Sequence, residues 1–105
     1  MTSRDFIYGL PAKVPSSAIE GVETTFHFDL DGESGGQYTM AIADQKVEVT
    51  DGLNGEASCV ITSTGENFVN LAKGELNPMM AMLTGKLKIS NQAEMLKYAK
   101  LFGLM

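Results

Sequence analysis

Residues 23–31 have the sequence ETTFHFDLD, in which apolar and polar side chains alternate. In an extended chain Phe26 and Phe28 point to one side, and His27 between them points to the other. This alternation is typical of an antiparallel sheet with one face on the core and one face toward solvent. The stretch therefore predicts a β-strand and indicates which of its faces is buried.

The same alternation recurs after each of several turns. It predicts four further strands, at residues 37–43, 46–50, 57–62 and 86–89. The first three strands of the chain follow one another through short turns, which favours an antiparallel meander. Glycines at positions 52 and 55 then separate this meander from the fourth strand.

Helical patterns lie between and around the strands. A short helix is predicted at residues 4–10, stopped by Pro11, with a turn or one-turn helix at 15–19. Two helices follow the fourth strand: one that begins at a capping box of Ser63 and Glu66 and ends at Gly74, and one from Pro78 to Gly85, capped by Asn77. A last helix starts at Asn91. The order predicts an α+β fold in one domain, residues 1–105: a five-stranded, mostly antiparallel sheet with the helices on one face.

Composition and charge exclude several classes of protein. The chain has 105 residues, 44% of them hydrophobic, and a formal net charge of −5. The negative charge argues against nucleic-acid binding through general electrostatics. Cys59 is the single cysteine and cannot form an intramolecular disulfide, and the first residues lack a signal-peptide pattern, so we expect a cytoplasmic protein.

Candidate catalytic residues are few. His27, the only histidine, is predicted on the solvent side of its strand with Asp29, where an exposed surface pair is expected rather than a catalytic dyad. Cys59 is predicted to point into the apolar interior, which keeps a thiol protonated and inert. One histidine and one cysteine cannot form a zinc site, and the glycines at 32, 35 and 36 do not have the spacing of a nucleotide-binding loop. The sequence therefore predicts no catalytic residue, metal or cofactor.

The most informative segment is MMAML at residues 79–83. A helix with this sequence has no polar face, so we expect it to be covered on all sides. It is interpreted as a buried core helix, as a dimer contact, or as the wall of an apolar cavity in which unbranched methionine adapts to flexible chains. Lysines at 86, 88, 97 and 100 are either solvated surface charges or contacts for anionic lipid headgroups.

An ordered series of motifs resembles the sterol carrier protein 2 family. It begins with FHFDLDG at 26–32, GQYTM at 36–40 and ASCVIT at 57–62. It continues with FVNLAKGELNP at 68–78 and MLTGKLKI at 82–89. Each motif alone is weak, but the set occurs in order over most of the chain, from about Phe6 to Phe102.

The resemblance implies a five-stranded sheet with helices on one face and, between them, a hydrophobic tunnel for fatty acids, fatty acyl-CoA, phospholipids or sterols. It also implies that the helix at 78–84 and the terminal helix border this tunnel. The better-known animal members have a longer N-terminal helix and commonly a peroxisomal tripeptide at the C-terminus. Here the first helix is reduced to residues 6–10 and the chain ends Gly103-Leu104-Met105, so the chain is more similar to a bacterial or archaeal lipid carrier.

These patterns predict a non-enzymatic carrier that buries a long-chain lipid, as a monomer or weak homodimer, and transient contact with a membrane surface is left open. The predicted lipid-contacting side chains are Phe26, Phe28, Tyr38, Met40, Phe68, Leu71, Met79, Met80, Met82, Leu83, Met95 and Phe102. One alternative is a homodimerising interaction module whose interior is filled by side chains. Another is an enzyme that uses His27 or Tyr38 as acid or base.

Overall fold

The fold is built around a central strand, β1, flanked on both sides. The computed structural model describes residues 2–33 and 35–98, with Leu96 described for its backbone. The strands are β1 (Thr24–Asp31), β2 (Gly36–Ala43), β3 (Lys46–Asp51), β4 (Cys59–Thr64) and β5 (Leu87–Ile89). The helices are α1 (Ser3–Lys13), α2 (Gly65–Ala72), α3 (Pro78–Leu83) and α4 (Gln92–Tyr98), with a 3₁₀ helix at Ser16–Ile19.

The strands form one sheet in the order β3-β2-β1-β4-β5. β1 pairs antiparallel with β2, which places Phe26 opposite Met40. On its other side β1 pairs parallel with β4, which places Phe26 opposite Cys59. Both outer pairs, β2 with β3 and β4 with β5, are antiparallel. The predicted α+β fold with a five-stranded, mostly antiparallel sheet is confirmed.

The core lies on the face of the sheet that carries Phe26 and Phe28, called the inner face below. Both side chains are almost completely buried, and the registers put alternate residues of β2 and β4 beside them. Phe68 of α2 packs edge-on against Phe28, with ring centroids 5.5 Å apart. Phe6 of α1 packs edge-on against Phe68 at 5.6 Å. Burying these apolar rings between helices and sheet is the main stabilising term.

The opposite, outer face is crossed by residues 52–58. β3 and β4 lie on opposite sides of the β1–β2 pair, so the chain must cross the sheet between them. The crossing segment bonds to the outer face: His27 Nε2 lies 3.0 Å from the carbonyl oxygen of Asn54, and Thr39 Oγ1 donates to the carbonyl oxygen of Gly52 at 2.7 Å. His27 is only 8% exposed. The prediction of an exposed pair with Asp29 is therefore wrong, because the crossing segment covers the imidazole.

Helix α1 is longer than predicted. It continues through Pro11 to Lys13 instead of stopping before the proline. Proline removes one N–H from the helical ladder, but the amide of Val14 still donates to the carbonyl oxygen of Leu10 at 3.1 Å and closes the last turn. Apolar packing offsets the missing bond, since α1 buries three large side chains, Phe6, Ile7 and Leu10.

Helix α2 begins one residue later than its predicted capping box. The side chain of Thr64 accepts the amide of Asn67 at 3.0 Å, which satisfies a free donor of the first turn. The hydroxyl of Ser63, predicted as the cap, instead donates to the carbonyl oxygen of Lys86 at 2.7 Å. β4 is thereby extended to Thr64, and Ser63 ties it to the segment that enters β5.

The turn between β2 and β3 is strained. Asp44 and Gln45 have φ angles of 52° and 60°, the left-handed region that β-carbons disfavour. Two-residue hairpin turns need this geometry because it matches the twist of the strands, and they favour Asn-Gly. The sequence predicted the tight connection. The structure places Asp44, which tolerates the left-handed region, and Gln45, which does not, at its two turn positions.

We expect Gln45→Gly to stabilise the protein. Removing the β-carbon at φ 60° relieves the left-handed penalty, and the expected gain is about 0.5–1 kcal/mol in the free energy of unfolding. Urea denaturation measures this change. As a control, Glu48→Gly places the same substitution at an exposed position within β3 and should destabilise by about 0.5–1 kcal/mol. A loss of stability in both variants contradicts the interpretation of turn strain.

Candidate functional site

The candidate site is the apolar interior between the inner face and the helices. Its floor is formed by Phe26 and Phe28 of β1 and by Met40 of β2, none more than 1% exposed. Phe68 of α2 closes it from above. The ring of Tyr98 in α4 packs edge-on against Phe26 at 6.0 Å. This interior offers aromatic and thioether surface, which suits an apolar, flexible molecule.

The structure places the predicted lipid-contacting residues in three groups. Those buried around the inner face are Phe26, Phe28, Tyr38, Met40, Phe68, Leu71 and Met95. Met82 is half-buried against this core. Met79, Met80 and Leu83 are exposed, and Phe102 lies outside the described residues. The seven buried residues and Met82 thus lie together, whereas Met79, Met80 and Leu83 point away from them.

Helix α3 contacts the core through a narrow side. Ala81 is fully buried, but Met79, Met80 and Leu83 are 69%, 56% and 79% exposed. The sequence predicted a helix covered on all sides, and in the structure the described chain covers it on one side only.

The position of α3 is set by its two ends. The side chain of Asn77 accepts the amide of Met79 at 2.9 Å and caps the helix. Beyond its other end, the amide of Lys86 donates to the carbonyl oxygen of Ala81 at 2.8 Å. The exposed side chains are therefore presented on a fixed helix rather than on a loose segment.

The sequence analysis missed the contribution of α1 to the interior. Phe6, Ile7 and Leu10 are all buried, at the spacing i, i+1 and i+4 that marks one face of a helix. This spacing lies within the predicted helix at 4–10 and indicates a buried face, but it does not show which part of the fold that face packs against. Val14 and Ile19 beyond the predicted helix are buried as well.

The structure does not bring the candidate catalytic residues His27, Tyr38 and Cys59 together into one site. His27 lies on the outer face and Tyr38 on the inner face, so the two side chains cannot act together on one substrate. Cys59 is buried as predicted, and this burial raises the pKa of its thiol, which favours the protonated form. Within residues 2–33 and 35–98, no three His, Cys, Asp or Glu residues are grouped so that they could hold a metal ion.

The helices of the described part of the chain are all too short or too polar to cross a membrane. A pocket on the outer face is lined by two alanines and three charged residues, Ala41, Ala43, Asp44, Lys46 and Glu48, and differs in chemistry from the interior. The inner face is therefore the better candidate site for an apolar ligand.

Comparison with known proteins identifies the family. The model of the SCP-2 sterol transfer family matches residues 10–103. This chain belongs to the SCP-2 sterol transfer family. The resemblance inferred from the ordered motifs is thereby confirmed, and the match covers every strand and the whole of α2, α3 and α4.

Relatives carry this SCP-2 domain alone or within larger proteins. Human hydroxysteroid dehydrogenase-like protein 2 is 33% identical over 89 residues, 83% of this chain but 21% of the relative. The chain therefore spans about a fifth of the length of its curated relatives. The palmitated SCP2L2 of Aedes aegypti has a TM-score of 0.73 at 19% identity, over 97% of this chain and 95% of that one. The sec-alkylsulfatase Pisa1 from Pseudomonas sp. has a TM-score of 0.79 at 17% identity, over the whole of this chain and 16% of the enzyme.

A polar cluster fastens α1 of this SCP-2 domain to the edge of the sheet. Arg4 forms a salt bridge with Asp51 at 2.8 Å, and the hydroxyl of Tyr8 donates to the same carboxylate oxygen at 2.6 Å. The guanidinium of Arg4 lies 4.5 Å above the ring of Tyr8. The hydrogen bond from Tyr8 and the charge of Arg4 lower the pKa of Asp51. The same hydrogen bond raises the pKa of Tyr8.

We expect Asp51→Asn to flatten the acid dependence of stability. The lowered pKa of Asp51 means that its stabilising contribution is complete above the pKa of the unfolded chain, about 3.9. It is lost as the pH falls through the folded value. Urea midpoints measured between about pH 6 and pH 2 should therefore converge for wild type and variant at the acid end. The control is Glu48→Gln, on the exposed part of β3, which should keep the wild-type slope; an Asp51→Asn slope equal to wild type contradicts the assignment.

Proposed function

We propose that this chain carries a long-chain lipid in the apolar space between the inner face and the helices, without catalysing a reaction. Membership of the SCP-2 sterol transfer family supports a role in lipid transfer, without naming a specific ligand. The observation that most directly supports lipid binding is the small contact between α3 and the core. It is made by Ala81 and by the half-buried, flexible Met82. A ligand can replace such a contact without breaking a polar network.

Apolar burial alone can hold an acyl chain. Each methylene transferred from water contributes about 0.8 kcal/mol, so ten methylenes contribute about 8 kcal/mol. This lies within the range of about 4–15 kcal/mol that association costs, and a longer acyl chain adds further burial without a specific polar group. The aromatic floor and the methionines provide the surface for this burial. A fatty acid, fatty acyl-CoA, phospholipid and sterol all fit this chemistry, and the palmitated state of the Aedes aegypti relative favours an acyl chain. The predicted cytoplasmic localisation stays a prediction.

Native mass spectrometry of freshly purified protein, followed by organic extraction, tests the proposal. We expect a monomer with one co-purified acyl lipid. The extracted ligand names its class, and displacement of a fluorescent fatty acid by palmitate, palmitoyl-CoA or cholesterol ranks the classes. A bare chain that ignores all added lipids contradicts the proposal. A mass that doubles with concentration, again without lipid, supports the homodimerising module instead.

We expect Met82→Lys to abolish lipid uptake while leaving a folded protein. Met82 is half-buried at the core, so an ammonium placed there can reach water by its flexible stem but brings charge to the ligand. Circular dichroism checks the fold and fluorescent fatty-acid titration measures uptake.

Two variants control for charge and for side-chain shape. Leu53→Lys adds the same charge at an exposed apolar residue of the crossing segment and should bind like wild type. Met82→Leu keeps the volume and should also bind. If Met82→Lys takes up lipid like wild type, the assignment of α3 to the wall of the lipid-binding site is contradicted.

A further inference from the structure

The exposed side chains of α3 form one continuous apolar patch. Met79, Met80 and Leu83 are 69%, 56% and 79% exposed. Their spacing of i, i+1 and i+4 places them within about 100° of the helix circumference. Ala81 points to the other side and is fully buried. We call these three side chains the α3 patch.

The chain around the α3 patch is positively charged, unlike the protein as a whole. Residues 73–86 contain Lys73 and Lys86 with Glu75 as the single acid, whereas the whole chain has a net charge of −5. Both lysines are exposed. Within the described part of the chain neither takes part in a salt bridge, so their charges are available to a partner.

The lysines flank the patch. Lys73 forms the C-cap of α2, four residues before the cap of α3, and the backbone of Lys86 is bonded to Ala81 within α3. Apolar side chains with lysines around them are the pattern of a surface that lies on an anionic bilayer. There the apolar groups enter the interface and the ammonium groups meet the headgroups.

We propose that the α3 patch docks this protein on the surface of an anionic lipid bilayer. The inference rests on the proposed function and deepens it, because α3 also borders the lipid-binding interior through Ala81 and Met82. Docking at this helix would bring the interior next to the membrane from which a lipid is taken or to which it is delivered.

A second copy of the chain fits the α3 patch less well. A stable protein interface buries about 800 Å² on each partner, more than three side chains provide. A symmetric dimer through this patch would also bring the flanking lysines of both copies together, with unfavourable like-charge contacts. An anionic bilayer avoids both problems, because its hydrocarbon region can bury the apolar side chains and its headgroups carry negative charge.

Vesicle flotation tests the proposal. Wild-type protein should bind vesicles of phosphatidylcholine with about 30% phosphatidylglycerol and should bind pure phosphatidylcholine vesicles much more weakly. The double variant Met79→Ser/Leu83→Ser should lose about tenfold or more in partitioning onto the anionic vesicles. Lys73→Gln/Lys86→Gln should lose about fivefold for each lysine, and the wild-type binding should fall in high salt.

Matched controls lie on the other side of the sheet. Leu53→Ser removes an exposed apolar side chain from the crossing segment, and Lys46→Gln removes an exposed lysine from the edge strand β3. Both should bind vesicles like wild type. Equal losses in these controls, or equal wild-type binding to neutral and anionic vesicles, overturn the proposal. So does a concentration-dependent dimer that the Met79→Ser/Leu83→Ser change abolishes.

Fatty-acid titration of the same proteins separates docking from lipid binding. The α3-patch variants should take up a soluble fluorescent fatty acid like wild type, because the altered side chains face away from the interior. Vesicle binding without any fatty-acid uptake contradicts the proposed carrier function alone. Fatty-acid uptake without preference for anionic vesicles contradicts the docking proposal alone.

Discussion

The parallel pairing of β1 with β4 is the constraint on which the rest of this structure depends. It forces the chain to leave the meander at one edge and cross the sheet before it can pair again. The crossing segment occupies the outer face and buries His27 there. The inner face is left to the helices, and the apolar side chains of β1, β2 and β4 become the floor of one interior. A polar residue pattern on one face and an apolar interior on the other follow from this single connection.

Much of this arrangement is readable in the sequence, because a period of two reveals which side chains share a face. Phe26 and Phe28 were placed correctly for this reason. The same period carries no information on which strands become neighbours, so the burial of His27 by Asn54, 27 residues further along the chain, could not be inferred. At the ends of helices, local sequence signals also compete with tertiary packing. Pro11 is a helix breaker in isolation, and the tertiary packing of Phe6 and Leu10 outweighs that preference in α1.

The helix α3 shows a different limit of sequence analysis. Its composition predicts burial, since five apolar residues in a row have no polar face. A six-residue helix fixed by the Asn77 cap and by the bond between Lys86 and Ala81 can turn only one side to the core. The site prediction therefore combined two sets of residues, those that line the interior and those that point to the surface of the molecule, and hydropathy cannot distinguish them. The buried set was found because strand alternation and helix spacing agree there.

If a helix moves away from the sheet to make room for a lipid, the cost is set by the apolar surface that the helix buries. Phe6, Ile7 and Leu10 hold α1, and Arg4 and Tyr8 add two polar contacts to Asp51. Phe68 and Leu71 hold α2. Only Ala81 is fully buried from α3, and its methyl group is the smallest contact of the three. Space is therefore gained at least cost beside α3, where Met82, half-buried against the core, can repack around an incoming chain because its unbranched side chain adopts many rotamers.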